Sequence, residues 1–318
     1  MKLGVIIEPN SNGFVADYYD GMLEFITEVE NIGFASVWIA GHEFSLTAAV
    51  AEVTENIRIG LLTKPALIHP LKTAEDAAVL DLMCNGRLLF GVDSTASSEE
   101  LAANAIADEQ AWPRFTEAMD IITKSWSHDG FAYQGEYHRI PLRTSVTSIK
   151  GQPFTTEPSK PPFILPWRRA GMPYDYLTLQ PKPLQIPHPP VFVSAHNEDI
   201  SRWAASMGFS LILNSRLEDA ASLSSAYWEE LTRSGRRREE VTVAIVADVH
   251  VVDDKTISSA NHALSGPPDP VLGGIKTLVR DTGAFHLLCR INAEMPTQEA
   301  TLDSLHLLAS EIRPNLEM

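Results

Sequence analysis

Apolar positions recur along this chain in two alternating rhythms. Short dense runs at Leu3–Glu8, Ser36–Ala40, Arg58–Leu62 and Leu88–Val92 read as buried strands. Between them, Tyr18–Ile32, Leu46–Thr54 and Leu71–Cys84 carry apolar residues at helical spacing. Gly33 and the Asn85-Gly86 pair mark the ends of the first and third. A longer helical region covers 98–127, with its clearest amphipathic spacing from Phe115 to Trp126. After an interruption the rhythm resumes with a strand at Val191–Ser194, a helix ending at Met207, a strand at Ser210–Leu213 and a helix at Glu218–Arg233. Val241–Val252 is the next strand, followed by a helix at Pro270–Thr282, a strand at Phe285–Ile291 and a closing helix at Gln298–Ile312. Eight strands, each followed by helical sequence, predict an α/β fold of the (β/α)8 TIM-barrel type, with a doubly wound open sheet as the alternative.

The interruption is itself informative. Residues 143–190 hold the PPF, PWRR, MPY and QPKP clusters, and proline at that density prevents helix and central strand. We expect one barrel domain over 1–318 carrying an irregular, proline-rich insertion at 143–190, before strand five. Trp167, Tyr174 and Tyr176 in that insertion are the candidate lining of an apolar substrate pocket under a lid; an ordered surface loop is the plainer reading.

Composition narrows the function classes. The chain has 318 residues and a formal net charge of −16, which disfavours nucleic-acid backbones and anionic membrane surfaces as partners. Cys84 and Cys289 lie apart inside apolar runs, so neither a disulfide scaffold nor a zinc site is expected, and a reducing cytoplasm fits. The opening MKLGVIIEPN reads as a first strand, and no apolar run approaches the ~18 residues of a membrane span. The expected location is therefore cytoplasmic, and no metal is expected.

The strand-to-helix turn at 191–208 is the best candidate for chemistry. Val191, Val193 and Ala195 end in His196-Asn197-Glu198-Asp199, which opens an amphipathic helix. The first N–H groups of such a helix have no partner within it, and at a barrel rim they would face an anion such as a cofactor phosphate. Glycine-rich dinucleotide and P-loop fingerprints are absent, as are GxSxG, HExxH and CxxC, so these offer no support for nucleotide hydrolysis, serine hydrolysis or zinc proteolysis.

Several segments together are similar to the bacterial-luciferase-like flavin monooxygenase family. SVWIAGHEF resembles its strand-two signature, and ENIRIGLLTKPALIHPLKTAEDAAVLDLMCNGRLLFGVD its third strand, third helix and fourth strand. RFTEAMDIITKSWSHDGFAYQGEYHRI resembles the unit leading to the insertion. QPKPLQIPHPPVFVSAHNEDISRWAASMG and GPPDPVLGGIKTLVRDTGAFHLL resemble late barrel elements. The resemblance implies reduced FMN held at the C-terminal ends of the strands, reaction with O2 to a flavin hydroperoxide, and oxygenation of an organic substrate. It also implies a separate flavin reductase and dimerisation, as a homodimer or heterodimer.

Through that resemblance His42 is the catalytic candidate, an imidazole able to move protons near neutral pH. Gly41 stands where the family has an acidic residue and Glu43 where it has a second histidine. The candidate cofactor residues are Asp93, Ser94, Thr95, Arg114, Ala195, His196, Asn197 and Ser201. Arg114, read as preceding the helix that starts at Phe115, matches a family arginine and would bring positive charge. Asp93 departs from the small and basic residues usual after this strand. A carboxylate ~4 Å from a phosphate would cost roughly 4 kcal/mol at an effective dielectric of 20. The helix start at Asn197–Ser201 must then supply most of the phosphate binding. The expected function is a two-component, reduced-FMN-dependent monooxygenase of a small or medium organic substrate. The alternatives are a deazaflavin-dependent oxidoreductase on the same barrel and a non-catalytic flavin-binding or partner subunit.

Overall fold

Eight short apolar runs pair side by side in parallel, which only helices crossing behind them permit. The computed structural model describes residues 1–8, 16–41, 43–141, 177–214, 218–252, 264–291 and 298–316. In chain order the elements are β1 (Lys2–Ile7), α1 (Ala16–Ile32), β2 (Ser36–Ala40), α2 (Glu43–Val53), β3 (Arg58–Thr63), α3 (Pro70–Met83) and β4 (Leu88–Asp93). Then come α4 (Ser98–Ala103), α5 (Ala111–Ser127), the β5–β6 pair (Tyr133–Gln134, Arg139–Ile140), β7 (Val191–Ser194), α6 (Glu198–Met207), β8 (Ser210–Asn214) and α7 (Ala220–Arg233). The chain closes with β9 (Val243–Ala247), β10 (Val249–Val251), β11 (Leu264–Gly266), α8 (Pro268–Thr282), β12 (His286–Ile291) and α9 (Gln298–Leu307).

The chain divides into two compact units. The first comprises 1–63, 83–93 and 190–318, and the second 64–82 and 94–189. The first unit is the barrel, closed in the order β1-β12-β9-β8-β7-β4-β3-β2. Every strand sends residues inward: Ile6, Trp38, Leu62, Leu89, Phe192, Ile212, Ala244 and Leu288 form one continuous apolar core inside the barrel. Trp38 is its largest member and is fully buried. Its ring needs two glycines opposite it: a Cβ built at Gly60 would lie 2.1 Å from Trp38 Cδ2, and one at Gly91 would lie 2.8 Å from Cζ3. Phe192 meets the indole edge-on, with centroids 5.1 Å apart. Burying one such ring contributes roughly 4–6 kcal/mol at ~25 cal/mol/Å2.

Polar ties hold the turns outside the barrel. The Glu30 carboxylate accepts the N–H groups of Glu55, Asn56 and Ile57 at 2.6–3.1 Å. Arg87 binds the carbonyls of Cys84, Ala51, Thr54 and Ile57, fastening the turn before β4.

The second unit has its own small core of Ile121, Phe131 and Ile140. A capping box joins Ser97 and Glu100 at the start of α4, and Glu100 also pairs with Lys64 at 2.6 Å. Glu117 on α5 accepts backbone N–H groups of Glu136 and Tyr137 and contacts His138 Nδ1 at 3.0 Å, which anchors the β5–β6 turn.

Some boundaries differ from the sequence-based expectation. α5 begins at Ala111, not Phe115, because Pro113 is accommodated in a first helical turn that has no use for its missing N–H. Arg114 therefore lies inside this helix and does not precede it. The expected single strand at 241–252 is broken at Asp248: β9 belongs to the barrel, while β10 pairs with β11 outside it. The last helix ends at Leu307 and widens into a π-type turn over Leu308–Ile312.

Candidate active site

The site is built by register. β4 lies parallel to β7 with Asp93 beside Ser194, so the two strands end together at the C-terminal mouth of the barrel. His196, two residues beyond Ser194, follows the same inward alternation. Its Nε2 lies 3.3 Å from Asp93 Oδ1 and 3.3 Å from Ser194 Oγ. The hydrogen bond to Asp93 holds the imidazole charged above its ordinary range, outweighing the opposite effect of burial. Serine, histidine and aspartate thus meet, but not as a nucleophilic triad. Both partners use the same ring nitrogen, so no proton can pass from serine through histidine to aspartate.

α6 begins two residues later. Asn197 is its N-cap: the side-chain oxygen accepts Ile200 N–H at 2.9 Å. Ser201 N–H closes the first helical turn on Asn197 O. Among the described residues, the Glu198 and Asp199 N–H groups are left open at this helix start. The Glu198 carboxylate is drawn aside by Arg202 at 2.8 Å. Ser201 is fully buried, and its hydroxyl has no partner among the described residues. An imidazole whose pKa is raised and two helix-start amides in one turn fit the phosphate of a flavin or deazaflavin, despite the nearby Asp93. Ala195 is buried between Ser194 and His196 and presents only backbone.

A second cluster shares the mouth. Arg290, the fifth residue of β12, is 7% exposed and its guanidinium binds Glu8 through Nη1. Nη2 donates to Asn214 Oδ1 at 3.2 Å, and Nε makes a charge contact with Asp248 Oδ1 at 3.2 Å. Four strand ends are tied by this one cation. None of its residues was among the sequence candidates. The signal was present in HLLCRI, where a charged residue occupies an inward position in an apolar strand.

The remaining candidates are placed elsewhere or lie outside the described residues. Ser94, Thr95 and Arg114 belong to the second unit. Ser94 is buried and its hydroxyl has no partner among the described residues. The Arg114 guanidinium lies 4.5 Å from the Tyr137 ring centroid, and its Nε is 3.4 Å from Gln110 Oε1. His42 lies outside the described residues, as do Trp167, Tyr174 and Tyr176 with most of the insertion. Among the described residues, no helix is long and apolar enough to cross a membrane, and no cluster of side chains is gathered for a metal ion.

A closed parallel barrel with a polar, charge-paired cluster at its strand ends has the organisation of a (β/α)8-barrel enzyme. A model of the luciferase-like monooxygenase family matches residues 1–272, and the chain belongs to that family. It is 26% identical over 204 residues to the oxygenase component of a flavin-dependent trigonelline monooxygenase from Acinetobacter baylyi, covering 60% of this chain and 47% of that one. It is also 26% identical over 141 residues to an F420-dependent glucose-6-phosphate dehydrogenase from Amycolatopsis mediterranei, covering 37% of this chain and 41% of the relative. The matches thus span less than half the length of either relative. A solved structure with the same fold is the oxygenating constituent of 3,6-diketocamphane monooxygenase from Pseudomonas putida, in complex with FMN. It has a TM-score of 0.74 at 18% identity, over 99% of this chain and 98% of that one.

Proposed function

We propose that the chain is the oxygenase component of a two-component monooxygenase, using reduced FMN delivered by a separate flavin reductase and acting on a small or medium organic substrate with an apolar part. The observation that carries this reading is His196, its pKa raised by the hydrogen bond to Asp93, at the open N-terminus of α6. The His196 imidazolium and the Glu198 and Asp199 N–H groups bind and orient the phosphate end. The Ser201 hydroxyl is the adjoining donor. Asp93 acts through His196, keeping it charged, so the carboxylate opposes the phosphate less than an isolated one would. When bound, the reduced flavin supplies the electrons for dioxygen activation. His42, two residues past the β2 end in the sequence, is the proposed proton carrier. The insertion at 143–190, with Trp167, Tyr174 and Tyr176, is the proposed cover of an apolar substrate pocket. Ser94, Thr95 and Arg114 remain proposed cofactor contacts, and a homodimer or heterodimer in the cytoplasm the proposed state.

The test is anaerobic titration with reduced FMN, followed by admission of O2. Saturable binding and oxygen uptake support the reading; failure of reduced FMN to bind overturns it. A second reading, a deazaflavin-dependent oxidoreductase, draws on the F420-dependent relative. The same phosphate-binding turn would serve it. Tight deazaflavin binding with substrate turnover and no oxygen uptake distinguishes that case.

A further inference from the structure

The opposite end of the barrel holds a cavity of about 230 Å3. Each of the eight barrel strands lends it a residue from its N-terminal end or the position just before. The polar ones are Lys2, Ser36, Arg58, Ser210, Thr242 and His286. Leu89 and Phe192, members of the barrel core, form its apolar floor.

The polar lining is rich in donors. Trp38 Nε1–H donates to Ser36 Oγ at 3.0 Å, and Ser36 Oγ lies 3.0 Å from His286 Nε2. Both contacts are satisfied when the serine O–H donates to Nε2, which places the ring proton on Nδ1. In that tautomer, with no described group bonded to Nδ1, His286, only 3% exposed and lining the cavity, has an N–H left to offer an occupant. Ser210 Oγ already accepts Thr242 N–H at 3.0 Å, and its own O–H is left to donate. Lys2 and Arg58 contribute positive charge. Glu240, the one carboxylate among the lining residues, is held by Arg237 Nε at 2.8 Å. The space is smaller than the ~300–1,000 Å3 of drug-sized pockets, which limits an occupant to a few heavy atoms.

We propose that this cavity binds a small monocarboxylate, with its charge at Lys2 and Arg58, an oxygen on His286 Nδ1 and its short apolar part on Leu89 and Phe192. The site is separate from the mouth and does not rest on the flavin reading. It is tested on the purified full chain with butyrate, its neutral counterpart butyramide, and inorganic phosphate. The readouts are calorimetry and the ring resonances of isotope-labelled histidine, with His286 assigned through the folded His286→Gln variant. We expect butyrate to shift the His286 resonances saturably and to bind about tenfold more tightly than butyramide. Lys2→Gln, at an exposed position, should weaken butyrate about two- to fivefold without altering the fold. The proposal is overturned if His286 does not respond, if butyramide or phosphate binds as well as butyrate, or if Lys2→Gln changes nothing.

Discussion

His196 and Asp93 sit at the ends of different barrel segments, more than a hundred residues apart in the chain, with Nε2 and Oδ1 3.3 Å from each other. Each fits its place because of the other. The aspartate raises the pKa of the imidazole, and the protonated form of that imidazole offsets the carboxylate beside the proposed anion site. The raised histidine pKa means that the pair stabilises the fold fully below the ordinary value near 6.5 and loses that contribution as pH rises through the raised value. Asp93→Asn should lower the His196 pKa, seen by NMR titration, and move the loss of FMN affinity to lower pH. His196→Gln should weaken FMN by about tenfold at pH 6 and remove the pH dependence. An Asp93→Asn protein with an unchanged His196 titration would contradict this coupling.

The Trp38 ring leaves no room for a methyl group at Gly60, where a Cβ would stand 2.1 Å from it. Gly60→Ala should therefore cost ~1–3 kcal/mol or more in urea unfolding. Trp38→Phe introduced into the same chain should recover part of that loss. If both single substitutions prove additive, the steric account fails.

Burial, with a smaller effect of Lys2, pushes the His286 pKa down to about 3. The unfolded chain takes up a proton near pH 6.5 that the folded chain refuses, so stability falls as pH drops below that value, by up to ~1.4 kcal/mol per pH unit. His286→Gln should flatten this part of the profile. Urea midpoints between pH 7.5 and 5.5 would measure it, and a slope unchanged by the substitution would refute it.

Arg290 is buried among Glu8, Asn214 and Asp248, and removing its charge takes the same cationic partner from two carboxylates at the mouth. Both carboxylates retain solvent contact, which softens the penalty. Arg290→Met should still destabilise the chain by ~1–3 kcal/mol. Arg290→Lys keeps the charge but not the three-way reach, and should fall between. Equal midpoints for the two variants would show that retained charge contributes nothing and that the three-way reach of the guanidinium carries the whole effect.

Much of the barrel was legible because each strand carries its own apolar run and each helix its own spacing. Ser36–Ala40 and Val191–Ser194 coincide with the structure residue for residue. What local pattern could not show was the break at Asp248, since Val243–Val251 is apolar on both sides of it and only the barrel's closure ends β9 there. The α6 turn was legible from Asn197 and the acidic residues after it. Its pairing was not: Asp93 reads as an obstacle to an anion until the β4–β7 register sets it against His196. Arg290 stayed hidden for the same reason, because its partners come from three other strands.

The indole of Trp38, wedged between two bare glycines, has a further consequence. It makes the barrel a vessel with a bulkhead: what is carved at the floor does not open onto the rim. The floor cavity can therefore be reshaped, refilled or given a new guest by changing residues such as Lys2 or Ser210, while the chemistry at the other end keeps its own shape.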